Sequence, residues 1–250
     1  MIKRGRKYCV GSLHNSRNFG TVEVVEYIDT NNILVKFLNT GSLLRTKSSQ
    51  LGCGTIKDRF AKTIYGMGFI GFGKTWECGE HTLYYRYWLN MFHRCYRKDH
   101  PNCRTYESCS VGEGFHSFEN FEEWCDRQVG FGNKGWQLDK DILLKGNKVY
   151  SPEACCFVPQ EINVLFTKRE VARGDYPIGV SRKNKGGGYQ VQLSQFRDKY
   201  LGTYATPEEA FLAYKQAKEA HIKEVANKWK DQIDNRVYDA LMKYQVEITD

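Results

Sequence analysis

Residues 179–193 read Gly-Val-Ser-Arg-Lys-Asn-Lys-Gly-Gly-Gly-Tyr-Gln-Val-Gln-Leu, and residues 199–214 read Lys-Tyr-Leu-Gly-Thr-Tyr-Ala-Thr-Pro-Glu-Glu-Ala-Phe-Leu-Ala-Tyr. Alternating apolar and polar residues around a triple glycine predict antiparallel strands joined by a tight turn. A helix is predicted next, because Thr206 is a favourable N-cap and Pro207 suits the first helical position. The predicted inner face of that helix consists of Ala210, Phe211, Tyr214 and Ala217.

This order of motifs resembles the AP2 (ERF-type) DNA-binding domain, and the resemblance covers residues 176–230. In that family, three antiparallel strands lie in the major groove of DNA and one amphipathic helix braces them. The resemblance therefore implies an AP2-like domain that contacts double-stranded DNA through its sheet.

Strand alternation separates the two sides of the second predicted strand. Val191 and Leu193 are expected to face the helix, which leaves Gln190 and Gln192 for DNA. Arginine reads guanine and glutamine reads adenine in the major groove, whereas a flexible lysine contacts phosphate without specifying sequence. The predicted DNA-binding residues are Arg182, Lys183, Lys185, Gln190, Gln192, Arg197 and Lys199. The alternative interpretation is a solvated sheet with ordinary polar residues.

The net charge of +8 is concentrated in two parts of the chain. Residues 1–60 carry ten Lys and Arg against four Asp and Glu, and residues 176–205 carry five against one. This distribution predicts a polyanionic partner that touches both regions. A moderately basic surface that binds nothing charged is the alternative.

The lengths of the apolar runs and the spacing of the cysteines indicate in which cellular compartment the protein is expected. The chain has no run of about 18 apolar residues, and its basic N-terminus lacks the apolar core of a signal peptide. Its nine cysteines do not show the paired spacing of a disulfide framework. We therefore expect a protein of the reducing cytoplasm that contacts no membrane. Reduced structural thiols are favoured over a zinc site, whose loosely spaced candidates are Cys95, His100, Cys103 and Cys109.

The N-terminal region is predicted to be rich in strands. β-Branched, alternating runs predict strands at Thr21–Tyr27 and Ile33–Leu38, with a turn between them at Asp29–Asn32. Leu43–Thr46 is a third candidate strand. We expect a small β-barrel of the SH3 kind over residues 1–58, and a β-rich adaptor is the alternative.

The middle of the chain changes from glycine-rich to helical. Residues 52–75 contain six glycines and are predicted to be a linker or an extended crossing segment. A helical stripe follows, formed by Tyr84, Tyr87, Trp88, Met91 and Cys95. A second short helix is predicted at Phe118–Trp124, with three aromatic residues on one face. These aromatic side chains are expected to form core rather than to stack on bases.

Residues 136–166 predict two strands followed by a helix. The first strand is expected over Leu138–Leu144, the second near Cys155–Val158, and the helix is opened by Pro159. This is the frame of a ββα metal finger. Together with Trp88-Leu-Asn-Met-Phe-His-Arg-Cys-Tyr and Tyr150-Ser-Pro-Glu-Ala-Cys, it resembles the central region of phage and bacterial HNH-like, homing-type endonucleases.

The second resemblance implies a divalent ion, Mg²⁺ or a similar metal, held against the scissile phosphate. Lys140 or Asp141 stands at the position where the family has its histidine, and Ala154 stands at the position of the asparagine before the cysteine. The candidate catalytic residues are Asp139, Lys140, Asp141 and Asn163. The candidate metal ligands are Asp139, Asp141, Asn147 and Glu153. Alternation along a strand is expected to direct Asp139 and Asp141 to one side and Lys140 to the other.

Two functions of different class remain open at this point. The first is a homing-type DNA endonuclease with an AP2-like reader domain. The second is a catalytically inactive DNA-binding protein, such as a phage repressor or host-takeover factor. Both predict an α+β chain in the cytoplasm of an infected bacterium, bound to double-stranded DNA. Its predicted domains are a β-barrel-like domain (1–58), an HNH-like domain (75–170), an AP2-like domain (176–230) and a C-terminal helical tail (231–250).

Overall fold

The computed structural model describes residues 8–166, 176–183, 186–193 and 199–248. It contains several small sheets together with helices, so the predicted mixed α+β class is confirmed. The chain divides into two compact units. Unit 1 consists of Met1–Glu107 and Val111–Glu123, and unit 2 consists of Ser108–Ser110 and Trp124–Asp250.

Unit 1 begins with a four-stranded antiparallel sheet. Its strands pair in chain order: β1 (Leu13–Ser16), β2 (Gly20–Asp29), β3 (Asn32–Phe37) and β4 (Leu43–Thr46). The Asp29 carboxylate accepts a hydrogen bond from the Asn31 N–H at 2.7 Å, which closes the turn between β2 and β3. Alternation buries Val22, Val24, Ile33, Val35 and Phe37 in one cluster with Leu51 of α1 (Ser48–Cys53). The three predicted strands are therefore confirmed.

The glycine-rich segment crosses unit 1 as packed chain. A Cβ atom on Gly68 would lie 2.9 Å from the Trp88 ring, so glycine permits the close approach at this position. Phe69 forms a parallel bridge with Ser117. A short hairpin follows, formed by β5 (Trp76–Glu77) and β6 (Glu80–His81). A crossing segment, rather than a free linker, is the correct interpretation.

Aromatic residues form the second core of unit 1. The predicted helices are α2 (Leu83–Tyr96) and α3 (Phe118–Asp126). The Trp88 indole N–H donates a hydrogen bond to the Phe115 carbonyl at 2.7 Å, which satisfies the polar atom of a fully buried ring. The buried members of the two predicted stripes include Trp88, Met91, Phe118 and Phe121. Their prediction as core is confirmed.

Unit 2 contains the predicted strand–strand–helix order. β8 (Trp136–Asp139) pairs antiparallel with β10 (Cys156–Pro159), and α4 (Gln160–Asn163) follows directly. The short strands β7 (Ser110–Val111) and β9 (Val149–Tyr150) lie outside this pair. The second strand and the helix start are confirmed. The predicted strand over Leu138–Leu144 is wrong in extent, because the chain turns after Asp139.

The C-terminal part of unit 2 is a three-stranded antiparallel sheet covered by a helix. β11 (Val180–Arg182), β12 (Tyr189–Leu193) and β13 (Lys199–Tyr204) pair in that order. α5 (Pro207–Trp229) begins as predicted: the Thr206 hydroxyl accepts a hydrogen bond from the Glu209 N–H at 3.2 Å. The shared core consists of Val180, Val191, Leu193, Ala210, Phe211, Tyr214 and Val246.

The second half of α5 packs against the β8–β10–α4 region. Lys218 is 5% exposed, and its ammonium donates a hydrogen bond to the Leu165 carbonyl at 2.8 Å. Burial lowers the pKa of Lys218 to about 8. Near the C-terminus of α5, the Trp229 indole donates to Glu161 of α4 at 2.8 Å. A final helix, α6 (Asn235–Lys243), packs on α5.

Gly179 provides a test of the sheet–helix packing. Its φ is +76°, and a Cβ atom there would lie 2.0 Å from the Tyr214 ring. Gly186 is the matched control, because its φ is +89° but a Cβ atom there would meet no other atom within 4 Å. Gly186→Ala is expected to lose about 1 kcal/mol of unfolding free energy from backbone strain. Gly179→Ala is expected to lose about 2 to 4 kcal/mol, since overpacking adds to the same strain.

Urea unfolding of both variants measures the difference. Equal losses for Gly179→Ala and Gly186→Ala would show that α5 does not pack on the sheet at this position.

Candidate nucleic-acid interface

One face of the three-stranded sheet is open to solvent. Val191 and Leu193 are 0% and 2% exposed on the helix side, as the alternation predicts. The opposite side carries Gln190, paired with Ser181 and Thr203, and Gln192, paired with Tyr200. We call this side the outer face, formed by Ser181, Gln190, Gln192, Tyr200 and Thr203.

Ser181, Tyr200 and Thr203 belong to the outer face but are not among the predicted DNA-binding residues. Tyr200 is 58% exposed, and its hydroxyl lies 2.6 Å from the Thr203 hydroxyl. A large exposed aromatic residue on a polar sheet is typical of a binding surface. The alternation of residues along 199–204 indicates a strand, but it does not show which residues face outward. That assignment requires the pairing register between β12 and β13. That register shifts at Val191/Gln192, where the strands are irregular.

Arg182 and Lys183 lie away from the two outer-face glutamines. Arg182 is exposed but pairs with Tyr189, whose side chain packs against the core on the helix side. It therefore stands at the end of the edge strand β11, out of line with Gln190 and Gln192. Lys183 is exposed, and its backbone N–H donates a hydrogen bond to the Gly188 carbonyl at 3.1 Å, which closes the hairpin.

Lys185, Arg197 and Lys199 are the remaining predicted DNA-binding residues. Lys185 and Arg197 lie outside the described residues. Lys199 begins β13, where its backbone pairs with Leu193.

The outer face presents groups that suit nucleic-acid bases. The two glutamine amides each offer a donor and an acceptor, and the hydroxyls of Ser181, Tyr200 and Thr203 offer both as well. Such groups hydrogen-bond base edges and phosphate oxygens. No acidic residue belongs to this set.

The predicted catalytic residues Asp139, Lys140 and Asp141 come together at the end of β8. Asp139 Oδ1 accepts hydrogen bonds from the N–H groups of Asp141 at 2.8 Å and Ile142 at 2.9 Å, so this carboxylate closes a turn. The Lys140 ammonium contacts Asp141 Oδ2 at 3.1 Å. The prediction that Lys140 points away from the carboxylates is therefore wrong, because the strand ends before alternation can continue.

Charges in this turn act on one another. Burial, with a further contribution from the negative charge of Asp141, raises the pKa of Asp139 from 3.8 to about 6. Burial alone would lower the pKa of Lys140, but the charge and hydrogen bond of Asp141 outweigh it, and the pKa is raised. Lys140 also lies 5.7 Å from the centre of the Tyr150 ring. The ammonium acts as an internal counter-ion for Asp141.

The other predicted ligands have different partners. Asn147 donates from its amide to the carbonyls of Lys140 at 2.6 Å and Val149 at 2.7 Å, and it accepts from the Val149 N–H. Asn163 donates to the Gln137 side chain, and Glu153 is an exposed turn residue.

One oxygen of each of Asp139, Asp141 and Asn147 already has a protein partner. Mg²⁺ requires oxygen ligands in near-octahedral geometry, whereas a lysine already neutralises Asp141. Within residues 8–166, 176–183, 186–193 and 199–248, no three His, Cys, Asp or Glu side chains form a group able to hold a metal ion.

The resemblances to AP2 domains and to HNH-like endonucleases are supported by the sequence motifs and not by any comparison with known proteins. No family model, curated protein or solved structure matches the chain. Across the described ranges, no helix is long and apolar enough to span a membrane.

The Asp139 turn makes a pH-dependent prediction. The folded state holds the Asp139 proton more tightly than the unfolded state, since its pKa is about 6 rather than 3.8. The contribution of Asp139 to stability is therefore expected to fall as the pH rises from about 4 to about 6. Asp139→Asn keeps the acceptor oxygen but does not ionise. Its stability relative to wild type is expected to increase over this range by on the order of 2 kcal/mol.

Thermal unfolding at pH 4.5 and pH 7 measures this change, with exposed Asp231→Asn as the control. A stability difference that does not change with pH would contradict the burial of Asp139. A rise in the wild-type midpoint with Mg²⁺ that Asp139→Asn abolishes would instead identify a metal ligand.

Proposed function

We propose that the chain binds double-stranded DNA through the outer face of the β11–β13 sheet. The observation that carries this proposal is the one-sided packing of the sheet. α5 buries the apolar side, and the other side carries the half-buried Gln190 together with the exposed Ser181, Gln192, Tyr200 and Thr203. A narrow β ribbon fits the major groove of DNA, where such side chains reach base edges.

Roles within the sheet follow from position. Gln190 and Gln192 read bases, because they project from the central strand. Arg182 and Lys183 contact phosphates, since both lie at one end of β11 beside the hairpin turn. In this proposal Arg182 contacts a DNA phosphate rather than a guanine base. Lys185, Arg197 and Lys199 belong to the same proposed set on the basis of sequence.

The finer identity of the domains is part of the same proposal. We interpret residues 176–230 as an AP2-like module, residues 75–170 as an HNH-like region and residues 1–58 as an SH3-like barrel. The four-stranded sheet, the β8–β10–α4 order and the sheet-plus-helix support these assignments at the level of secondary structure. A phage-encoded protein acting on DNA in the bacterial cytoplasm is the corresponding setting.

Metal-dependent cleavage of the bound DNA is the second candidate function. The strand–strand–helix order and the neighbouring carboxylates of Asp139 and Asp141 favour it. The Lys140 ammonium at Asp141 and the hydrogen bonds of Asn147 to the backbone favour a binding scaffold that does not cleave. Binding without cleavage is therefore the first proposal. Plasmid nicking that requires Mg²⁺ or Mn²⁺ and disappears in Asp139→Ala/Asp141→Ala would support the second.

The outer face is tested with glutamine variants. A preferred site is first selected from a random duplex pool with the wild type. Gln190→Ala and Gln192→Ala are each expected to reduce discrimination between that site and a scrambled duplex by about 1 to 3 kcal/mol. Gln216→Ala, on the exposed side of α5, is the matched control and is expected to change nothing.

Fluorescence anisotropy at several salt concentrations gives the readout. Lys183→Ala is expected to weaken both duplexes alike and to reduce the salt slope by about 1. If the Gln190→Ala/Gln192→Ala double variant still discriminates between the preferred and the scrambled duplex as the wild type does, the outer face does not read the bases.

A further inference from the structure

Unit 1 contains an open groove that the proposed DNA-binding sheet does not use. The groove has a volume of roughly 630 Å³ and is open to solvent. Its lining includes Arg45 and Thr46 of β4 and Gln50 of α1. Lys57 and Arg59, from the segment that follows α1, also line it.

Hydrogen bonds from buried polar groups anchor the segment Thr55–Phe60. Asp58 is 5% exposed, and its carboxylate accepts hydrogen bonds from the Ser42 hydroxyl at 2.8 Å and the Phe60 N–H at 2.9 Å. The Ile56 carbonyl accepts from the buried Ser16 hydroxyl at 2.8 Å. Because Ile56 and Asp58 point inward, Lys57 and Arg59 are directed outward, and both are exposed. The two cations are thus positioned by an anchored backbone.

Charge in the groove is unbalanced toward positive. Arg45 already pairs with Glu26 at 2.8 Å. Among the residues that the structure describes, neither the Lys57 nor the Arg59 side chain has a hydrogen-bonding or ionic partner. Asp58 is the acidic residue of the lining, and its oxygens are engaged by Thr40, Ser42 and Phe60. The lining therefore carries two exposed cations, Lys57 and Arg59, that no described acidic side chain neutralises.

We propose that this groove binds the phosphodiester backbone of DNA through Lys57 and Arg59. Thr63 and Thr75 line the same groove, and a threonine hydroxyl can donate a hydrogen bond to a phosphate oxygen. An open groove accommodates a continuing polymer, whereas a small ligand is normally enclosed over most of its surface. The proposal rests on the proposed function and adds to it a second phosphate contact, in unit 1.

The test compares two double variants that remove equal charge from unit 1. Lys57→Ala/Arg59→Ala removes the groove cations. Lys36→Ala/Lys98→Ala removes two exposed lysines that do not line the groove. The groove variant is expected to reduce the slope of log affinity against log salt by about 2 for duplex DNA, because two phosphate contacts are lost. The control variant is expected to keep the wild-type slope.

A charge-preserving variant separates charge from folding. Lys57→Arg/Arg59→Lys is expected to retain the wild-type slope, and all variants are to show cooperative thermal unfolding. Equal slopes for the groove variant and the wild type would overturn the proposal. Calorimetric binding of inorganic phosphate that depends on Lys57 and Arg59, with DNA affinity unchanged, would overturn it in favour of a small anion.

The experiments distinguish failure of the outer-face proposal from failure of the groove proposal. If the wild type binds no duplex, both fall. If the wild type binds, the outer-face variants lose discrimination and the groove variant keeps its slope, then only the groove proposal falls.

Discussion

Burial of Val191 and Leu193 beneath α5 is the contact on which the rest of the C-terminal structure depends. Three short strands are not stable in water unless one face is covered. α5 covers that face with Ala210, Phe211 and Tyr214, which fixes the strand register and leaves the other face in solvent. The availability of Gln190 and Gln192 is therefore a consequence of core packing.

The length of α5 extends this constraint to the centre of unit 2. The helix runs over 23 residues, and its second half contacts α4 and the residues that follow it. Lys218 remains buried there because a backbone carbonyl accepts a hydrogen bond from its ammonium. One continuous helix thus contacts both the sheet and the β8–β10–α4 region. In that region, the polar side chains at the end of β8 mainly satisfy backbone groups and one another.

Sequence patterns predicted the elements whose signals are local. Alternation located β2, β3 and β12, and Thr206-Pro207 located the start of α5. The strand predicted over 138–144 failed because the Asp139 carboxylate offers the backbone a turn that competes with the extended form. The face on which Arg182 lies and the exposure of Tyr200 depend on how the strands pair, including the irregular register at Val191/Gln192. Alternation within a single strand does not reveal how that strand pairs with its neighbours.

Photo-crosslinking can show whether the outer face of the β11–β13 sheet contacts duplex DNA. The full chain is crosslinked to a duplex containing 5-bromodeoxyuridine, and the products are identified by mass spectrometry. Contact through the outer face is expected to give crosslinked peptides that include Tyr200 or residues 189–193, and excess unlabelled duplex is expected to abolish them. Crosslinks confined to peptides outside residues 180–204 would contradict it.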